Sequence, residues 1–564
     1  MGPKSEGASA SQTFYTVTAE IALARHQPRA AALQYAAGAA QATDVAYLDR
    51  AAQVAAETLQ PSLAEKIAAR WILVDPESVE AQRAAARAAL ALHKIDQAAI
   101  HYKRVLLASP IGTDAEFAAL ETYLAGSDNI FGARQLADRL ASSFPPSVAL
   151  SRVQGFTALR ADDPAAAVRS LTAALALPAA SGQESDGSAR SELLQTLARA
   201  RIMAGDAEGP LTKAQTTVER DDTPINRLDY ALLLMTAQRD AAAAVQLEVL
   251  AQNLEYAPVA LRLLGLIEFQ QGHLDAAAAR FTQLLLADKY LDDAFYYLGL
   301  IADRRDDPER ALRFYAQVQN GENAVPALLR ATVILQGHGA AEAAAEVLDQ
   351  LIQDEPTRAP EILIARARMY ADSGDVPGAV AVLERSIMEY PDSVDLRYAL
   401  ASTYEEEGRV SVALHELTAL EKARPDDPAA MNALGYTLAD HFRELRRARK
   451  LIEGAHSAAP KNAAILDSLG WVLFRQGHAA DAEPYLREAY ADDRGSDIAA
   501  HLGEVLWQLG KPAEAQAIWS EASAVNGDNK LLNETRQRLS ATRQPEPAAR
   551  QPVPTPPQSL PPVN

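Results

Sequence analysis

Cysteine is absent from all 564 residues. Its absence excludes, within this chain, a disulfide frame, thiolate zinc and iron–sulfur sites, a thiol nucleophile and lipid attached through sulfur. No stretch of roughly 18 or more uncharged apolar residues occurs, so no segment reads as a membrane span. No apolar segment of the signal-peptide kind follows Met1-Gly2-Pro3-Lys4-Ser5-Glu6, and Glu6 stands where N-myristoylation requires Ser or Thr. Basic residues are in deficit, with Lys plus Arg at 54 against Asp plus Glu at 74 and a formal charge of −20. That balance argues against a phosphate-backbone binder and against docking on an anionic membrane, and it directs attention to protein partners. Alternating strand patterns are missing as well, which leaves an all-α chain.

Alanine fills roughly a fifth of the sequence, and it is the best helix former because it loses no side-chain entropy on ordering. Apolar residues recur three and four apart, as in Leu261, Leu264, Leu266 and Phe269. Turns return on a fixed ruler: Asp75-Pro76 and Ser109-Pro110 are one interval apart, as are Gly265 and Gly299, and Ala277 and Ala311. Tyr370, Gly374, Ala379 and Pro391 shift together by the same interval to Tyr404, Gly408, Ala413 and Pro425. The interval is about 34 residues, the length of one helix–turn–helix unit. With slight slippage it carries Gly435 to Gly470 and Gly503, and Gly477 to Gly510.

The ruler predicts about 15 helix pairs from Gln12 to near Ala524, then a last amphipathic helix near Lys530 to Leu539. A loop from Pro178 to Ser188 interrupts the rhythm. Stability in such a chain is a sum of local interfaces, so the expectation is one solenoid over residues 12–541. Residues 1–11 are expected to be disordered. Residues 542–564 are expected to form a disordered Pro-rich tail, because Pro545, Pro547, Pro552, Pro554, Pro556, Pro557, Pro561 and Pro562 donate no backbone hydrogen bonds. A tether and an SH3-type ligand are the two roles open to that tail.

Catalytic signatures are lacking. There is no His-Glu-x-x-His pair, Gly-x-Ser-x-Gly elbow or phosphate loop. His26, His93, His273 and His478 fall at inter-helix turns and read as solvent-exposed turn residues. Glu405-Glu406-Glu407 and the group Asp303, Asp306 and Asp307 lie at first-helix ends, where solvated charge is ordinary. The expectation is a protein that is not an enzyme and holds no cofactor and no metal.

The repeat beginning near Ala463, with Leu466, Leu469-Gly470, Leu473, Gly477, Ala482, Leu486 and Ala489, resembles the tetratricopeptide repeat; its usual proline position holds Arg494. The resemblance implies a right-handed superhelix whose concave face is lined by the first helix of each pair. On that register the groove-facing residues are Arg262, Phe269, Tyr296, Asp303, Arg304, Tyr398 and Glu405 in the middle repeats. In the closing repeats they are Asn432, Tyr436, Asp440, Asp467, Trp471, Phe474, Arg475, Glu504 and Trp507. Trp471 and Trp507 either anchor a partner or pack between repeats; Trp71 and Trp519 fall on second helices and read as core.

The segments 432–440, 467–475 and 499–507, with Ala19-Glu20-Ile21-Ala22 and Trp71-Ile72-Leu73-Val74-Asp75-Pro76, are similar to the repeats of long bacterial outer-membrane tetratricopeptide lipoproteins. That family includes the adaptor of a periplasmic carboxyl-terminal processing protease that degrades peptidoglycan hydrolases. The resemblance implies a non-catalytic adaptor whose partners are such a serine protease and peptidoglycan hydrolases, with no nucleic acid. It also implies a place on the periplasmic face of the outer membrane, held only through an N-terminal lipid anchor that this sequence does not carry. The alternative is a scaffold of an envelope complex for polysaccharide export or outer-membrane assembly.

Overall fold

Helix after helix follows from the caps written into the turns. Ser78, Ser147, Thr223, Ser393 and Asn462 each accept a hydrogen bond from the backbone N–H three residues on, satisfying one of the orphan donors at a helix start. Proline occupies the first turn at Pro28, Pro61, Pro164, Pro224 and Pro308, where its missing N–H costs nothing. Helix pairs break at residues with positive φ, among them Gly408 at 74° and Gly477 at 89°, the left-handed conformation expected of them.

The structure, a computed structural model, describes residues 4–177, 187–526 and 529–541. Among these residues there are 31 α-helices and no strand. Consecutive helices pack as pairs along most of the chain, helices Thr113–Ala125 and Ile130–Ala141 packing instead on Val148–Arg160, and the last helix, Lys530–Ala541, follows them. The first helix runs Lys4–Ala24, so residues 4–11 are helical where a disordered segment was expected. After Pro3 that stretch holds no proline, and its one glycine, Gly7, costs a helix only about 1 kcal/mol. Helix Gly187–Met203 absorbs the end of the anticipated 178–188 loop. The rest of that loop and the Pro-rich tail lie outside the described residues. Two compact units partition the chain, residues 1–434 and 435–564.

Within a pair, the second helix drives a large side chain onto a glycine of the first. A Cβ added to Gly265 would lie 2.9 Å from Phe281, one on Gly299 2.5 Å from Tyr315, and one on Gly470 2.5 Å from Leu486. At Gly503 the added carbon would stand 1.9 Å from the Trp519 indole, and Trp519 is fully buried. Carbons added to Gly435 and Gly470 would also approach the carbonyls of Ala448 and Ala482 at 3.1 and 3.2 Å. The alanine thus admits backbone to backbone, as its position in the repeat requires.

The first unit also carries a contact that spans most of its length. Helices Pro28–Ala39 and Pro61–Val74 begin after Gln27 and Gln60, neither of which caps its own helix with its side chain. Their orphan donors find carboxylates far along the chain. Arg29 N donates to Glu389 Oε1 at 3.0 Å, 360 residues away. Ser62 N and Oγ donate to the two oxygens of Asp392 at 3.1 and 2.7 Å, 330 residues away. Gln60 Nε2 donates to Glu389 O at 2.8 Å, and His93 Nε2 lies 2.9 Å from Asp426 O.

His93 is therefore buried in this seam, not the solvent-exposed turn residue anticipated for it; its ring lies between Asn129 of the next repeat and the Asp426 carbonyl, 333 residues on. Burial, then the neighbouring Asp128, pushes the Asp395 carboxyl above its ordinary range, although the residue keeps an exposed face.

The glycine contacts yield a direct test. Gly503→Ala should destabilise the closing repeats by about 1–3 kcal/mol through overpacking on Trp519. Gly337→Ala, which meets nothing within 4 Å, should be neutral or stabilising by up to about 1 kcal/mol. Hydrogen exchange resolved along the chain measures both; equal effects at the two positions would refute the packing argument.

Candidate protein-binding groove

In the middle repeats the groove-register residues pair from one repeat to the next. Arg262, in helix Ala257–Gln270, is ion-paired with Asp293 and sits 5.6 Å over the Tyr290 ring. Arg304, in helix Leu291–Arg304, lies 4.1 Å over the Phe269 ring and donates to the Phe269 carbonyl at 3.4 Å. Asp303 accepts from Arg330 Nε at 2.6 Å. Tyr296 packs 5.2 Å from Tyr297 and 6.3 Å from Tyr315. Phe269 is buried, so it holds adjacent repeats together. Tyr398 is 49% exposed and Glu405 is half-buried. The result is a polar and aromatic ladder, with cations seated on ring faces.

The second unit gathers Asp440, Asp467, Trp471, Phe474 and Arg475 into one cluster. Trp471, in helix Ala463–Arg475, donates from Nε1 to Asp440 Oδ1 at 3.0 Å and stacks on Phe474 at 5.3 Å. Arg475 lies 4.9 Å over the Trp471 ring and donates to the carbonyl of Ala439 at 3.2 Å and to that of Asp440. Glu504 accepts from Arg538 at 2.6 Å, and Trp507 stacks on Trp519 at 5.8 Å. Trp471 is only 4% exposed; it packs between repeats, the second of its two sequence readings. Trp507 is half-buried, and Trp71 and Trp519 are core. Asn432 belongs to the first unit, where its Oδ1 is buried without a hydrogen-bond partner among the described residues.

His501 is the member that sequence reasoning missed. Its ring stacks on Trp471 at 4.1 Å and tilts towards Tyr436 at 5.9 Å, and its Nδ1 lies 2.9 and 3.0 Å from the two Asp467 oxygens. It is 2% exposed, and Nε2 has no hydrogen-bond partner among the described residues. The signal was available: His501 follows Asp467 by 34 residues, one repeat, so the two occupy the same station on adjacent first helices. Burial alone pushes the imidazole down, but the Asp467 carboxylate, helped by Asp440 and Asp497, more than offsets it and holds His501 above its ordinary 6.5. The pair is a buried histidine–carboxylate contact inside an aromatic box, suited to fixing the relative position of two first helices.

The chain carries segments that match the tetratricopeptide repeat. Tetratricopeptide-repeat families match it over residues 370–435, and over 262–325, 334–394 and 468–529. A TPR repeat-containing protein of Pseudomonas aeruginosa is 29% identical over 507 residues, 89% of this chain and 84% of its own length. Among solved structures, a thermophilic TPR protein of Thermus thermophilus aligns at 23% identity over 32% of this chain and 98% of its own, with a TM-score of 0.29. A chain of the APC/C hetero-tetramer Cut9-Hcn1 aligns at 14% identity over 94% of this chain and 96% of its own, also with a TM-score of 0.29.

A raised His501 pKa stabilises the folded second unit below about pH 6.5, and that contribution is lost as pH rises through the folded value. The unfolding midpoint of the closing repeats should therefore fall as pH rises from about 6.5 through the raised folded value. Asp467→Asn should flatten this dependence and cost about 3–5 kcal/mol at pH 6. Thermal unfolding followed by tryptophan fluorescence reads both, and a midpoint indifferent to pH in the parent chain would mean that His501 stays neutral.

Proposed function

We propose that the protein is a non-catalytic adaptor that holds a periplasmic carboxyl-terminal processing serine protease together with peptidoglycan hydrolases and promotes their degradation. On this reading it works at the periplasmic face of the outer membrane, carried there by an N-terminal lipid. The observation that carries the reading is the likeness of the closing repeats, 432–440, 467–475 and 499–507, to those of the adaptor lipoproteins. The broader role is that of the repeat itself: tetratricopeptide arrays are protein-interaction scaffolds, and the ladder of paired side chains from Arg262 to Arg330 supports a side chain-lined binding surface. An adaptor needs no chemistry of its own. Tethering protease and substrate raises their effective concentration to roughly the millimolar range, which accelerates cleavage without any new catalytic contact.

The purified chain, added to a purified carboxyl-terminal processing protease and a peptidoglycan hydrolase, should raise the cleavage rate by about ten-fold or more. An unchanged rate defeats the proposal. Affinity capture from cell envelopes that returns export or assembly proteins in place of a serine protease and hydrolases would favour the scaffold alternative.

A further inference from the structure

The chain carries 74 acidic against 54 basic residues, yet residues 441–450, His-Phe-Arg-Glu-Leu-Arg-Arg-Ala-Arg-Lys, hold five Arg and Lys against one Glu. Four of the five fall on the first two turns of helix Leu445–Ala458. There the helix dipole disfavours cations, and Arg446 and Lys450, four apart, repel one another. Arg447 pairs with Glu444 and Arg449 with Glu453. Arg443, Arg446 and Lys450 have no carboxylate partner among the described residues. Local stability does not account for the arrangement.

The cations line a concavity. Arg446, Arg449 and Lys450, with Arg475 and Gln476 opposite, bound a cleft of about 540 Å³. Its walls are braced: Gln476 Nε2 donates to Leu445 O at 3.0 Å, and Arg475 is anchored on the Ala439 and Asp440 carbonyls. At the rim stands Phe442, 61% exposed, with the Arg475 guanidinium 3.4 Å over its ring. Phe442 also holds φ at 52°, where the neighbouring repeats place Gly408 and Gly477. Other turns of the array also hold non-glycine residues at positive φ, Leu59 and His93 among them, so what sets Phe442 apart is an exposed aromatic ring beside unpaired cations, and that combination points to a ligand.

We infer that this cleft docks an acidic segment of a partner protein, its carboxylates on Arg446, Arg449 and Lys450 and an apolar side chain against Phe442. Arginine forks receive carboxylates in pairs, and opposite charge steers the encounter. Glu453 within the cleft disfavours a lone anion but is bypassed by an extended peptide whose carboxylates reach Arg446 and Lys450. A membrane is a poor fit, because Arg475 is recessed and the chain carries a net charge of −20. Nucleic acid is opposed by the net charge of −20. The inference goes beyond the adaptor reading and does not depend on which proteins are held.

The probe is a dye-labelled peptide of Asp-Glu pairs flanking Phe, compared with its Asn-Gln counterpart, by fluorescence anisotropy on the full chain. The acidic peptide should bind, more weakly as salt rises, and the neutral one should not. Arg446→Glu with Lys450→Glu should weaken binding by about ten-fold or more. Phe442→Gly, which relieves the strained turn, should raise the unfolding midpoint while weakening the peptide; this variant keeps the test open if the charge reversal fails to fold. Equal affinity for both peptides, or affinity unchanged in the variants, overturns the inference. So does co-sedimentation with phosphatidylglycerol vesicles that the charge reversal abolishes while peptide binding persists.

Discussion

The constraint on which the whole array depends is the close approach of two helices within each pair. Gly265, Gly299, Gly470 and Gly503 leave room for Phe281, Tyr315, Leu486 and Trp519, and each of those large side chains fills the space that a methyl group would take. Because the glycine and its partner lie about half a repeat apart, the contact is local, and the chain builds its core one pair at a time. Buried alanines such as Ala277, Ala311, Ala413 and Ala482 repeat the logic where the second helix closes on the first. A sequence so rich in alanine and so poor in large aromatics is what such tight spacing demands.

Locality also explains how much could be read from the sequence. The 34-residue ruler located the helix pairs, the left-handed glycines at the turns and the terminal helix, because each depends on residues within one repeat. It did not disclose the seam, since nothing in Gln27 or Gln60 announces a carboxylate 330 or 360 residues away. His93 was misread for the same reason: its turn is ordinary, and the turn that meets its Nε2, at Asp426, lies 333 residues on.

The groove residues show the same division. Register placed Asp467, Trp471 and Arg475 on first helices, and the structure joins them into one cluster with Asp440 and His501. What register could not weigh was depth. Trp471 and Phe269 fall on groove-facing stations of the register, yet they are buried, so part of the aromatic set stiffens the array while Tyr398 stays exposed. The basic cleft at Arg446 and Lys450 is masked in the sequence by the overall acidity of the chain, which dilutes one cationic decade among more than five hundred other residues.

The seam also sets a chronology. A solenoid assembled from local contacts can fold behind the ribosome, pair by pair, as it emerges. Helices Pro28–Ala39 and Pro61–Val74 are exceptions, because the carboxylates that complete their first turns, Glu389 and Asp392, are translated more than 300 residues later. At about 5–20 residues per second that is a wait of roughly 15–70 s. The first pairs to leave the ribosome are thus among the last to be finished, and during that interval their open ends are available to whatever meets them first.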